Sequence, residues 1–196
     1  MSQPTLAHRA RRLLPLLLAC LCLAAPLGAY AFDLASLQQR LAATPSLAGK
    51  FTQQRRLADL GTSLDSSGRF SFVRGQRVVW QLERPVEERI ELTPEAIVNG
   101  SGDRTPPGGE QVARLFLQLL EGDWQALASR FEIALAGNAE AWQVTLTPKA
   151  AALRERIASI ALDGGRYIDH LTLRTPSGDT LAVRLYDQHP LTGGAP

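Results

Sequence analysis

Residues 77–82, RVVWQL, alternate with a strict period of two. Val78, Trp80 and Leu82 fall on one side, Arg77, Val79 and Gln81 on the other. Successive strand side chains point to opposite faces, so this pattern belongs to a strand with one covered face. The flanking stretches repeat it. Residues 47–57 put Leu47, Gly49, Phe51, Gln53 and Arg55 on one face, and residues 69–73 bring Phe70 and Phe72 together. Residues 86–92 set Val86, Glu88, Ile90 and Leu92 against Glu87, Arg89 and Glu91, and residues 96–99 add a short strand. Arg74-Gly75-Gln76, Glu83-Arg84-Pro85 and Thr93-Pro94-Glu95 are the connections. A parallel crossover needs about a dozen residues or more, so these strands must form an antiparallel meander.

The period of two returns later in the chain. Phe131, Ile133 and Leu135 alternate, as do Trp142, Val144 and Leu146, and further strands are expected over residues 157–162, 167–173 and 180–186. Residues 149–156, KAAALRER, read equally well as a helical turn or a loop. Three stretches carry helical spacing instead. Asp33 can cap a helix over residues 33–43 with Leu34, Leu37 and Leu41 in one stripe, stopped by Pro45. After the loop GSGDRTPPGGE (residues 100–110), a second helix over residues 110–121 aligns Val112, Leu115, Phe116, Leu119 and Leu120, and Gly122 ends it. Asp123 caps a third over residues 124–129. The fold class is therefore α+β: an antiparallel sheet of about nine strands with about three helices, two of which interrupt it in the middle.

The first 31 residues stand apart. Arg9, Arg11 and Arg12 precede the apolar run LLPLLLACLCLAA, and Ala29-Tyr30-Ala31 makes a small-x-small cleavage site before Phe32. This is the pattern of a secretory signal peptide over residues 1–31, leaving residues 32–196 as one domain. The run is ~13 residues, short of the ~20 that a membrane span needs. A competing reading takes Leu17-Leu18-Ala19-Cys20 as a lipobox with Cys20 lipidated, against which the residues after Cys20 continue the apolar run. Cleavage changes the charge. Losing three arginines from 21 basic residues leaves one fewer than the 19 acidic ones, so the basic balance belongs to the leader. Cys20 and Cys22 leave too, so packing alone holds the secreted domain. Without a basic patch interleaved with aromatics, no nucleic-acid partner is expected.

Catalytic hardware is hard to find. The three histidines, His8, His170 and His189, form no pair at metal-ligand spacing, so no metal and no cofactor is expected. Asp169 and His170 are adjacent in a strand and point to opposite faces. Glu87, Glu88 and Glu91 read as a solvated face, and no Gly-x-Ser-x-Gly elbow or phosphate loop occurs. The expectation is a protein that is not an enzyme. Its remaining signal is an apolar sheet face that helices must cover or that a ligand must use.

Several features occur in one order. A leader and a Leu-striped helix are followed by GKFTQ (residues 49–53), GRFSFVRGQRVVWQLERP (residues 68–85) and VTLTPKA (residues 144–150). In these the chain resembles the periplasmic outer-membrane lipoprotein carrier proteins, the LolA-like family, as a divergent member. The resemblance runs over roughly residues 33–186. It implies a sheet curved into an incomplete barrel, with helices as a lid over an apolar cavity. It implies a monomeric periplasmic carrier of acyl chains, loaded by an inner-membrane releasing complex and unloaded by an outer-membrane receptor. It also implies that the arginine of the strand-connecting turn, Arg74, latches the lid by hydrogen bonds to helix backbone. The chain departs from the family at Gly75, where proline is usual, in the segment after Ile97, and at its C-terminus, where the usual last strand looks absent or truncated.

On this reading Phe51, Phe70, Phe72, Val78, Trp80, Leu82, Ile90, Leu92, Leu115, Phe116 and Leu119 line a lipid cavity, and Arg74 is its latch. The cargo is an acylated lipoprotein or another lipidated molecule, such as a glycolipid or lipid-linked pigment. The alternative is an envelope interaction or sensor module that uses the same scaffold without carrying lipid.

Overall fold

The computed structural model describes residues 32–44, 46–102 and 109–191. The expected leader, with Cys20, and the middle of the 100–110 loop lie outside these residues. Every strand among the described residues joins one sheet. In chain order the elements are α1 (Leu34–Ala42), β1 (Ser46–Leu57), β2 (Thr62–Val73), β3 (Arg77–Arg84), β4 (Glu88–Leu92) and β5 (Ile97–Asn99). They continue with α2 (Gly109–Glu121), α3 (Trp124–Ala128), β6 (Phe131–Gly137), β7 (Trp142–Pro148), α4 (Ala151–Arg154), β8 (Ser159–Gly164), β9 (Ile168–Arg174) and β10 (Thr180–Pro190). The ten strands are ordered β5-β4-β3-β2-β1-β10-β9-β8-β7-β6. All neighbours are antiparallel, and β5 and β6 are the two edges, so the sheet is open. This is the α+β architecture expected, with ten strands rather than about nine and four described helices rather than three.

The differences have local causes. The strand expected from residue 69 begins at Thr62, because TSLDSSG pairs with the distal half of β1 through backbone while its side chains stay largely exposed. Polar strand without burial has no alternation to reveal it. β4 begins at Glu88 rather than 86, and Val86 is left 70% exposed. The ambiguous segment after Lys149 holds a four-residue helix. β10 extends past Tyr186 to Pro190, beyond a bulge at which Asp187 takes φ 53°. The strand expected over residues 180–186 is therefore eleven residues long and lies at the middle of the sheet.

The helices pack on one face of the sheet. α1 buries Leu37 and Leu41, α2 buries Ala113, Leu117, Leu119 and Leu120, and α3 buries Trp124 and Leu127. Opposite them, inward positions from both halves of the sheet join one apolar cluster, from Phe51, Phe70 and Trp80 to Trp142, Leu146, Ile160 and Leu185. Fully burying one such side chain is worth about 1.5–3 kcal/mol, so this cluster dominates the fold energetics. Two glycines permit close approach. A Cβ on Gly68, at the β2–β3 bulge, would sit 1.9 Å from the Gln81 carbonyl oxygen. Gly122, with φ 64°, ends α2, and a Cβ there would lie 2.8 Å from Leu41 of α1.

Candidate functional site

The inward face of β1–β4 is built from residues with a period of two. Phe51 pairs with Gly68 across β1–β2, Phe70 with Trp80 and Phe72 with Val78 across β2–β3, and Val78 with Leu92 and Trp80 with Ile90 across β3–β4. Directly paired residues share a face, which places these side chains together. Phe51, Phe70, Phe72, Val78, Trp80 and Leu92 are buried, as is Leu119 from α2. Leu82, Ile90, Leu115 and Phe116 are partly buried and pack on the same cluster.

Stacking fills this interior. Phe51 and Trp80 stack with ring centroids 3.9 Å apart and planes inclined by 28°, Phe70 is 5.9 Å from Trp80, and Phe116 meets Trp80 edge-on at 6.0 Å. Beneath the helices a space of about 30 Å³ is found, bordered by Leu41, Leu47, Phe70, Phe72, Leu120 and Leu185 together with Arg74 and Gln188. An acyl chain does not fit there unless α1 and α2 move off the sheet. A wider hollow of about 730 Å³ lies among Thr52, Gln54, Asp65, Arg84, His170 and Arg184. Its side chains are mostly polar and it is open, so it cannot keep an apolar chain dry.

One guanidinium reaches the ends of both α1 and α2, while Arg40 of α1 also donates to Gly165 O at 3.3 Å. Arg74 sits in the β2–β3 turn, where one terminal nitrogen donates to Glu121 O at 2.7 Å and the other to Leu41 O at 2.7 Å. These are carbonyls of the last turns of α2 and α1. The final carbonyls of a helix lack intrahelical partners and carry the negative end of its dipole. Gly75 N–H donates to Glu121 Oε1 at 2.7 Å, so the turn and the end of α2 are joined by side chain and backbone both ways. Burial pushes the Arg74 guanidinium below its ordinary value, and the Glu121 charge pulls it back up. Its Nε is buried without a hydrogen-bond partner among the described residues.

Residue types alone do not reveal all of this. Ala113, Leu117 and Leu120 form the buried i, i+4, i+7 stripe of α2, whereas the expected stripe gave equal weight to Leu115 and Phe116. Trp142, Val144, Leu146, Ile160, Leu162, Val183 and Leu185 complete the interior from the C-terminal half. Their alternation carries the same signal as that of β3. His170 Nδ1 lies 2.7 Å from Asp163 Oδ1 across β8–β9, on a half-exposed surface, while Asp169 points the other way. Among the described residues, no three His, Cys, Asp or Glu gather where they could hold a metal ion. No described helix is long and apolar enough to cross a membrane.

Solved structures share the architecture. MucB aligns at 15% identity over 83% of this chain and 60% of that chain, with TM-score 0.50. The MucA/MucB complex of Pseudomonas aeruginosa aligns at 17% identity over 84% of this chain and 58% of that chain, also with TM-score 0.50. A LolA superfamily protein from Nitrosomonas europaea aligns at 9% identity over 84% of this chain and 96% of that chain, with TM-score 0.46. The chain thus spans about 60% of the length of MucB, and at such identities the two MucB likenesses speak for the fold alone. No curated protein matches. The model of the family described as outer membrane lipoprotein carrier protein LolA-like matches residues 24–180, most of the chain. The chain therefore belongs to the LolA-like family.

Proposed function

We propose that this protein is a periplasmic carrier that shields the acyl chains of a lipoprotein, or of another lipidated molecule, between its sheet and its helices. It performs no chemistry. It would receive cargo from an inner-membrane releasing complex and yield it to an outer-membrane receptor. The observation that supports this reading best is the way the helices are held: Arg74, from the sheet, ties the ends of α1 and α2 through two hydrogen bonds. Beyond these, the Gly75 N–H bond to Glu121 Oε1 and the Arg40 Nε bond to Gly165 O, the helix–sheet contact is largely apolar, and an acyl chain can replace it in kind. Each methylene removed from water contributes about 0.8 kcal/mol, so a long chain compensates for displaced helix contacts.

A second reading keeps the scaffold and drops the lipid. The Phe51–Trp80 stack fills the interior as an ordinary core would, and the comparison structure of MucB is a complex with another protein, MucA. Native mass spectrometry with lipid extraction, on protein recovered from its own periplasm, separates the two. A bound acylated species supports the carrier. A clean apo mass, with no uptake of a fluorescent acyl probe, sinks the carrier and favours the interaction module.

A further inference from the structure

The 30 Å³ space beside Arg74 is not wholly apolar. Arg74 Nε and Gln188 Oε1 are both buried, neither has a hydrogen-bond partner among the described residues, and both side chains border this space. A buried donor or acceptor without a partner costs about 1–3 kcal/mol, so one of each at the same small cavity makes it a polar site. Their chemistry is fixed by their other contacts. The terminal nitrogens of Arg74 are committed to Leu41 O and Glu121 O, which leaves Nε–H as the free donor. The amide nitrogen of Gln188 donates to Ile168 O at 2.9 Å and to Asp169 Oδ1 at 3.2 Å, which assigns the free end as the oxygen.

Both groups belong to the sheet. Arg74 follows β2 and Gln188 lies in β10, on either side of the start of β1, where Leu47 pairs with both Phe72 and Pro190. Leu41 and Leu120, which also border the space, belong instead to α1 and α2.

We propose that this notch seats the head of the acyl cargo and selects an N-acyl amide. The amide carbonyl accepts from the Arg74 guanidinium, whose terminal nitrogens are released when α1 and α2 move, the amide N–H donates to Gln188 Oε1, and the first methylenes lie along Phe70, Phe72 and Leu185. The rest of the chain occupies the space that α1 and α2 vacate. An ester or free carboxylate offers acceptors only and leaves the Gln188 oxygen buried and unpaired, which disfavours it against the amide. This proposal rests on the carrier reading.

The test uses one fluorophore and one chain length on delipidated protein, with three probes: a palmitoyl amide, the matching palmitoyl ester and an N-palmitoyl peptide. The amide is expected to bind roughly 5-fold tighter than the ester, the ratio one hydrogen bond supplies. Gln188→Leu, or Gln188→Met if the first folds poorly, is expected to erase that ratio. Equal affinity for amide and ester in the natural protein overturns the notch and leaves the carrier standing. Failure of every probe overturns the carrier reading and the notch with it. Tighter binding of the peptide than of the small amide assigns a protein-borne cargo, and the reverse assigns a free lipid; either order supports the notch if both exceed the ester.

Discussion

Arg74 is asked to satisfy two helix ends that lie on separate elements, and the shape of its side chain makes this possible. A planar fork holds two donors at fixed spacing, which an ammonium does not. Arg74→Leu removes both bonds, and the expected loss of stability is about 1.5–3 kcal/mol. Hydrogen exchange at α1 should accelerate more than exchange in the centre of the sheet, and acyl-probe uptake should speed up. Unchanged uptake and release would remove the latch from the mechanism. Arg74→Lys should recover part of the loss, because one point charge reaches one carbonyl at a time. Asp169 makes a separate prediction. Burial raises its carboxyl above the ordinary range, more than the charge of His170 lowers it. Its charged form is therefore held less well in the folded protein, and folding is favoured by protonation. Asp169→Asn is expected to raise the melting temperature near neutral pH. The gain should shrink as pH falls through the raised folded value and vanish below the unfolded value of about 3.9. A gain that persists at pH 3 would mean that the charge is not its cause.

At the scale of elements, α1 is short and depends on its ends. Asp33 caps it by accepting from Ser36 N at 2.8 Å, and Arg74 closes the other end. Asp33→Ala should lower the melting temperature, with amide exchange on α1 rising while that on β7 and β8 does not change. Caps and alternation are what made the elements legible: Asp33, Asp123 and the strands of Trp80 and Trp142 all announce themselves by residue type and spacing. What stayed hidden was structure whose partners are backbone. Thr62–Gly68 pairs by ladder bonds with its side chains in water, and β10 passes a bulge at Asp187 that shifts its period, so neither shows a clean pattern. The candidate site divides in the same way. Phe51, Phe72 and Trp80 can be placed on the inner face by counting, but the acceptors for Arg74 are the carbonyls of Leu41 and Glu121, which any residue would supply. Gln188 was unreadable because only the extension of β10 past the bulge brings it beside the turn that carries Arg74.

At the scale of the molecule, the sheet consists of two meanders. The N-terminal one runs β5 to β1 and the C-terminal one β10 to β6, and within the sheet the single ladder between β1 and β10 joins them. Its register runs from Leu47↔Pro190 to Arg56↔Thr180, pairing the first described strand with the last. Every other ladder closes a loop within one meander, so this pairing bears the largest loop-closure entropy in the sheet. It also sets the buried face, because Phe51 lies opposite Leu185 and Gln53 opposite Val183. A chain ending before Thr180 keeps both hairpin systems but turns β1 and β9 into unpaired edges with apolar inward faces. Such a chain is expected to keep strand-rich far-UV circular dichroism, lose its cooperative thermal transition, and aggregate. The helices cannot compensate, since α1 buries Leu37 and Leu41 in the interior that the two halves make together. If the truncated chain were monomeric and unfolded in one sharp transition, the meanders would be independent folding units. The lid would then cover one of them alone, and the interior would not need both halves to form.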